Sequence, residues 1–429
     1  MRELIVRKSG PLFGTVLIGG SKNAVLPILC ACLLTQERCE IRQVPPFADV
    51  LALLGILRAL GADVEYDEKK QMVHIQARRM KMGGGGEELA GRLRASFLVL
   101  GPILARKGRA QVPLPGGCPI GTRPVDLHLK GLTALGARIR VDHGMAKGRC
   151  RILRGTEVYL DLPSVGATEN LLMAATLAQG VTVIENAAAE PEIVDLAAFL
   201  KKMGAKIQGA GTPKITITGV DSLHGARHSV MSDRVETGTF LAAVAITGGD
   251  VVLKNTPNDH LAAILAKLRE AGAVIEEGVG SLHIKATGEI LPFDVKTMPY
   301  PGFPTDLQAV FMALAAVAKG TSVITETLFE NRFLQAAQLN RMGAGIKTDG
   351  RVAVVEGVRH LTGTAVTATD LRAGAALVVA ALAAEGETQI SHISHIDRGY
   401  DHLEEKLQGL GAEIFRQEEP AREAMAAAH

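Results

Sequence analysis

Tryptophan is missing altogether, and four Tyr with eleven Phe hold the aromatic fraction to 3%. So few rings leave little with which to stack bases, and a formal net charge of +2 gives no basic field for a phosphate backbone. Nucleic acid is therefore not an expected partner. No apolar run approaches the roughly 18 residues that would span a bilayer, and the opening MRELIVRKSG carries charges where a signal peptide needs its apolar segment. A cytoplasmic protein without a membrane partner is expected.

Cysteine is equally scarce. Five in 429 residues, without a CxxC pair, argue against both a disulfide framework and a cysteine-rich zinc site. The spacing of His74, His128, His224, His228, His283, His392 and His395 is not that of zinc ligands, so no metal is expected. Cofactor motifs are lacking too. The stretch IGGSKNA has no G-x-x-x-x-G-K-[ST] spacing, and Gly83 to Gly86 run into EELAGRLR rather than a dinucleotide fingerprint. No cofactor is expected.

What is present is a globular composition, 47% hydrophobic and 21% charged, long enough for two or three domains. It is built on a repeat. LRALGADVEY, LTALGARIRV, LKKMGAKIQG, LREAGAVIEE, LNRMGAGIKT and LQGLGAEIFR each end an amphipathic helical pattern in Gly-Ala and pass into a strand-like stretch. Their glycines, at 61, 136, 204, 272, 343 and 411, are spaced by 75, 68, 68, 71 and 68 residues. Glycine suits the residue just past a helix, where the chain often turns left-handed.

About 40 residues before each glycine a second helix opens, as in SKNAVLPILCACLL, SDRVETGTFLAAVAI and TDLRAGAALVVAALAA. These are apolar on nearly every side, the mark of a buried helix. Each repeat reads helix, strand, helix, strand, strand. Six of them predict an α/β fold with buried helices inside a ring of sheets, in two domains of three repeats. The last repeat is short of strands after EIFR, so the N-terminal strands in LIVRKSGPLFGTVLIGG are expected to complete the sheet of the C-terminal half. That places one domain at residues 1–20 plus 232–429 and the other at 21–231, with a frayed tail after Gln417.

Charges gather where the buried helices begin. Ser21, Ser164 and Ser232 are expected N-caps, yet Lys22, Arg94, Arg234 and Arg372 put cations where the helix dipole is already positive, which is unfavourable by a few tenths to about 1 kcal/mol. An anion would relieve this, and helix starts with added Lys and Arg suit phosphate or carboxylate. Asp233, Glu236, Asp306 and Asp370 sit at equivalent starts, so ion pairing between domains explains any one of these charges equally well.

Cys118, in LPGGCPIGTRP, differs from the other four cysteines. Cys30, Cys32, Cys39 and Cys150 lie in or beside apolar patterns and are expected to act as small hydrophobes. Cys118 is fenced by glycines and prolines in a turn-rich loop that ends in Arg123, a cation that favours the thiolate. From spacing alone, an incidental thiol and a functional one both remain open.

The ordered motifs SKNAVLP, RAS, PGGCPIGTRPVDLH, SVGAT, ENAAAEPEIVD, SDRVETGTF, FPTDLQA, TETLFENRF, TDLRAGA and HIDRGY resemble those of the UDP-N-acetylglucosamine enolpyruvyl transferases, over residues 1 to 415. The resemblance implies a two-domain inside-out α/β barrel with its site in the cleft between the halves. It implies transfer of the enolpyruvyl group of phosphoenolpyruvate to the 3-hydroxyl of UDP-N-acetylglucosamine, with release of phosphate, in the first committed step of peptidoglycan synthesis. By resemblance, Cys118 is the acid, able also to form a covalent adduct with phosphoenolpyruvate, and Asp306 is the base. Lys22, Arg123 and Arg398 hold phosphoenolpyruvate, with Asn23 a further contact. The sugar nucleotide falls to Arg94, Arg123, Pro124, Val125, Asp126, Leu127, Ser164, Val165, Gly166, Asp306 and Leu328, with Asp233, Arg234, Glu236, Asp370 and Arg372 as supporting charges. Some members carry a lysine two positions before Ser-Val-Gly. Here Leu162 and Pro163 precede Ser164, so no diphosphate contact from a lysine is expected there. Two alternatives stand beside this reading: 5-enolpyruvylshikimate-3-phosphate synthase, and a catalytically silent regulator that binds UDP-sugars.

Overall fold

The computed structural model describes residues 2–81, 93–115 and 125–418. Cys118, Arg123 and Pro124 lie outside these residues. The α/β fold expected from the repeats is present.

All six repeat glycines take positive φ, from 90° at Gly343 to 103° at Gly204. The residue pair after each helix makes the same two bonds. In the first copy Gly61 N–H donates to Arg58 C=O and Ala62 N–H to Leu57 C=O; in the last, Gly411 donates to Gln408 and Ala412 to Leu407. This is a Schellman turn, which satisfies the carbonyls that a helix end leaves open and turns the chain into the next strand.

The other helix of each repeat is buried. In Leu371–Ala383 every residue from Leu371 to Leu382 is buried, and Arg234–Thr247 is buried throughout except at Thr247. Their small side chains permit close approach: a Cβ on Gly238 would lie 2.4 Å from Leu307 of the neighbouring helix Thr305–Ala315. The copy at RASFLVLGPILA begins as a 3-10 turn, Arg94–Val99, and becomes α-helical only at Leu100–Lys107. Pro102 cannot supply an N–H to Leu98 and crowds its carbonyl.

The sheets contain one element that the repeat pattern did not reveal. A short strand ahead of the next buried helix joins in parallel, as Glu157–Tyr159 does beside Val181–Glu185 and Val295–Lys296 beside Thr321–Thr325. Three residues or fewer are too short to show an alternating pattern. Arg227–Ser229 pairs back in parallel with Arg38–Arg42 of the first repeat. In the last repeat, Arg2–Arg7 lies antiparallel between Glu387–Ser391 and Ile414–Glu418, with Ile5 opposite both Gln389 and Phe415.

Two apolar cores result. One joins residues from Leu4 to Ile18 with those from Val235 to Ile414; the other runs from Ala24 to Val230. Cys30, Cys32 and Cys39 are in the second core, and Cys150 is only partly buried at its edge. The chain passes between the cores twice, around Gly20 and Ser232, which form an isolated antiparallel bridge. Among the described residues no helix is long and apolar enough to cross a membrane.

Candidate active site

Three of the buried helices are uncovered only at their first turn, at Asn23, at Val165 and Gly166, and at Thr305 and Asp306. Those first turns carry sequence-expected site residues. Ser21 caps Lys22–Ala31 through the Ala24 N–H, leaving Lys22 as the first helical residue. Its Nζ lies 2.8 Å from Asp49 Oδ2. Asp49 belongs to the first turn of Ala48–Ala59, where a carboxylate suits the helix dipole. Arg398 reaches the same carboxylate from the 3-10 turn Ile393–Arg398 of the other core, with Nε 2.8 Å from Oδ1 and Nη2 3.3 Å from Oδ2.

Two cations on one carboxylate leave net positive charge. Burial pushes the Lys22 ammonium below its ordinary value; Asp49 opposes that, while Arg372 and Arg398 add to it. Burial alone would raise Asp49, but Lys22 and Arg398 hold it below the usual carboxylate range.

Asp306 anchors the neighbouring group. Its Oδ2 accepts from Arg372 at 2.7 Å and from Asn23 of the opposite core at 3.3 Å, and its Oδ1 accepts from Arg332 at 2.9 Å. The guanidiniums outweigh burial and hold Asp306 well below the ordinary value. Asp370 takes a different part: its Oδ1 caps the helix Leu371–Ala383 by accepting from the N–H groups of Arg372 and Ala373. Lys22 and Arg398 thus meet on Asp49, Asn23, Arg372 and Arg332 meet on Asp306, and the adjacency of Lys22 and Asn23 in one helix sets the two groups side by side. Neither Asp49 nor Arg332 was anticipated from the sequence. Asp49 reads there as an ordinary acid in a first helical turn, and Arg332 as a charge in a loop.

The remaining charges pair across the cores or hold helix starts. Arg234 makes a two-pronged contact with Glu192 at 3.0 and 3.3 Å. Glu236 accepts from Lys406 at 2.5 Å and from the Gly19 N–H at 2.8 Å. Ser232 does not cap Arg234–Thr247. Asp233 does, because its carboxylate sits two and three residues from the open N–H groups of Val235 and Glu236.

The positions assigned by resemblance to the sugar nucleotide form a second region. Val125 precedes the helix Asp126–Ala134, which contains Leu127 and the buried His128. Ser164 caps Val165–Ala175, whose first N–H groups lack helical partners by geometry. Within this region the two helix starts touch: a Cβ on Gly166 would lie 3.1 Å from the His128 ring. Burial, with Arg94 adding to it, pushes His128 down to about 3 and keeps it neutral. Leu328 is half-exposed, in a turn held by buried Glu326, whose Oε1 accepts from the N–H groups of Leu328 and Phe329 and whose Oε2 accepts from Thr305 beside Asp306. Glu326 is a third residue missed in the sequence.

Residues 6–407 match the family profile of EPSP synthase (3-phosphoshikimate 1-carboxyvinyltransferase). Within that family the resemblance sharpens. The chain is 54% identical over 414 residues to UDP-N-acetylglucosamine 1-carboxyvinyltransferase 1 of Caldanaerobacter subterraneus, covering 96% of this chain and 99% of the relative. The chain belongs to the UDP-N-acetylglucosamine 1-carboxyvinyltransferase family. A second member, UDP-N-acetylglucosamine 1-carboxyvinyltransferase 2 of Carboxydothermus hydrogenoformans, is also 54% identical, over 97% of this chain and 99% of the relative. Among solved structures, the enolpyruvyl transferase NikO from Streptomyces tendae superposes with a TM-score of 0.88 at 26% identity, over 98% of this chain and 99% of that one. EPSP synthase from Acinetobacter baumannii shares the fold with a TM-score of 0.73 at 20% identity, over 97% and 100% of the two chains. The 1-carboxyvinyltransferase fold is therefore common to all of them, and the sequence relationship is much the stronger within the UDP-N-acetylglucosamine branch.

Proposed function

We propose that this chain moves the enolpyruvyl group of phosphoenolpyruvate to the 3-hydroxyl of UDP-N-acetylglucosamine and releases phosphate, committing the sugar to peptidoglycan synthesis. The observation that carries this reading is the meeting of Lys22 and Arg398, from opposite cores, on Asp49. Two cations set against one carboxylate keep a positive excess where a substrate bearing both carboxylate and phosphate can be held. Identity to two UDP-N-acetylglucosamine 1-carboxyvinyltransferases supports the acceptor.

In the addition step the sugar 3-oxygen bonds to C2 of phosphoenolpyruvate and gives up its proton, while C3 gains one. In the elimination step C3 loses a proton, the double bond re-forms and the C2–O bond to phosphate breaks. We assign proton delivery to Cys118 and proton acceptance to Asp306. Held low by Arg372 and Arg332, Asp306 is ionised at neutral pH, as an acceptor must be. A bound anion nearby raises its basicity by like-charge repulsion. Lys22, Asn23, Arg123 and Arg398 hold the donor. Arg94, residues 123–127, the start of Val165–Ala175 and Leu328 hold the sugar nucleotide.

In this reading the two cores are two domains, residues 1–20 plus 232–429 and 21–231, which close on the substrates. The enzyme works in the cytoplasm, since both substrates are too highly charged to cross a bilayer unaided. Phosphate release decides the matter. Release from phosphoenolpyruvate is expected with UDP-N-acetylglucosamine and not with shikimate 3-phosphate; release with shikimate 3-phosphate alone, or with neither, would sink the proposal.

A further inference from the structure

Asp233 lies at the second passage of the chain between the cores and is buried, with 4% of its surface exposed. Both its carboxylate oxygens are used, and by different helices. Oδ1 accepts from the N–H groups of Val235 at 2.7 Å and Glu236 at 3.0 Å, at the start of Arg234–Thr247. Oδ2 accepts from the Lys22 N–H at 3.2 Å, at the start of Lys22–Ala31 in the other core. The backbone ties the same place. Asp233 N–H donates to Gly19 C=O at 2.9 Å and Ser21 N–H donates to Met231 C=O at 2.8 Å. The crossing is also tightly packed, since a Cβ on Gly20 would lie 1.9 Å from the Gln43 carbonyl oxygen.

Each helix start carries about half a positive charge, and two of them facing one another repel. One carboxylate between them removes that repulsion and fixes their distance. We propose that Asp233 is a positioning residue: by gathering the first turns of two buried helices from opposite cores, it sets where the Lys22 ammonium stands relative to Arg372 and Arg398. The inference rests on the reading of Lys22 as a ligand of phosphoenolpyruvate.

Asp233→Ser offers one oxygen where Asp233 offers two. It can keep the cap of Arg234–Thr247 but not hold the Lys22 N–H as well. In full-length enzyme assayed by phosphate release, the KM for phosphoenolpyruvate is expected to rise about tenfold, with kcat and the KM for UDP-N-acetylglucosamine changing by less than about threefold. An unchanged KM for phosphoenolpyruvate in the folded variant overturns the inference, as does an equal rise in both KM values, which marks general loosening. Amide exchange in the unaltered enzyme supplies a test that needs no variant. The Lys22 N–H is expected to exchange slowly without substrates, and exchange at an open-chain rate overturns the assignment. If the unaltered enzyme released no phosphate while Lys22 exchanged slowly, the reading of the function would fall and the Asp233 contact would stand.

Discussion

Arg398 and Asp49, 349 residues apart in the chain, face each other across the two cores with Nε 2.8 Å from Oδ1. Lys22 shares that carboxylate from the Asp49 side. The residue at the centre of the cationic group is thus an acid, and its removal takes one shared carboxylate from two cations at once.

Asp49→Ala should therefore cost about 3 kcal/mol in chemical denaturation, the scale for breaking a buried pair from one side. The pH dependence follows from the sign of its shift. Because Asp49 is held below the usual range in the folded state, its contribution is complete above the unfolded value of about 3.9 and fades as pH falls through the folded value. The stability gap between the unaltered protein and Asp49→Ala should shrink on acidification from about pH 6 to below about pH 3. A gap that stays constant would show that Asp49 acts by packing rather than by charge.

Asp306 is held low by Arg372 and Arg332, so it is ionised in the free enzyme throughout the ordinary assay range. No acid limb in kcat/KM between about pH 5 and pH 8 should trace to it. Asp306→Asn keeps the shape and loses the proton acceptor. A drop in kcat of about a hundredfold or more is expected, with substrate affinities by calorimetry changed far less. Weakened binding with an undiminished kcat would make Asp306 a substrate holder instead.

Cys118 should be alkylated before the other four cysteines. Cys30, Cys32 and Cys39 are wholly buried, and burial pushes the thiols of Cys30 and Cys32 upward, away from the reactive thiolate. Cys150 is partly accessible, but burial raises its thiol as well. Mass spectrometry after brief treatment with iodoacetamide, or with an epoxide of the fosfomycin type, should find the label on Cys118. First labelling at Cys150 would reverse the ranking. Activity retained by Cys118→Asp but lost by Cys118→Ser would assign proton donation, because a carboxylic acid can protonate carbon without forming the thioketal adduct.

How much of this was legible before the fold depended on whether the signal was local. The six Gly-Ala turns were, because each is written in one helix end and repeats at a near-constant interval. Lys22, Asn23 and Asp306 were visible through their motifs at the mouths of apolar helices. Asp49 was not: it is an unexceptional charge until a segment 349 residues away brings Arg398 to it, and Glu326 and Arg332, though inside TETLFENRF, show their partners Thr305 and Asp306 only once the chain is folded. Ser232 failed as a cap for a local reason, since the neighbouring Asp233 has the better placed oxygens. The short parallel strands escaped because pairing, not pattern, makes them strands.

The repeat glycines also allow backbone strain to be separated from packing. Gly343 and Gly61 have almost the same φ, 90° and 92°, and end equivalent helices. A Cβ on Gly343 would meet nothing within 4 Å, whereas one on Gly61 would lie 2.4 Å from the Arg79 carbonyl oxygen. Gly343→Ala should therefore cost only the left-handed backbone penalty, about 1 kcal/mol. Gly61→Ala must also displace the backbone at Arg79 and should cost more, by about 1 to 3 kcal/mol, in the same denaturation experiment. Equal losses at the two sites would mean that the Arg79 segment yields freely and that the turn itself sets the whole cost.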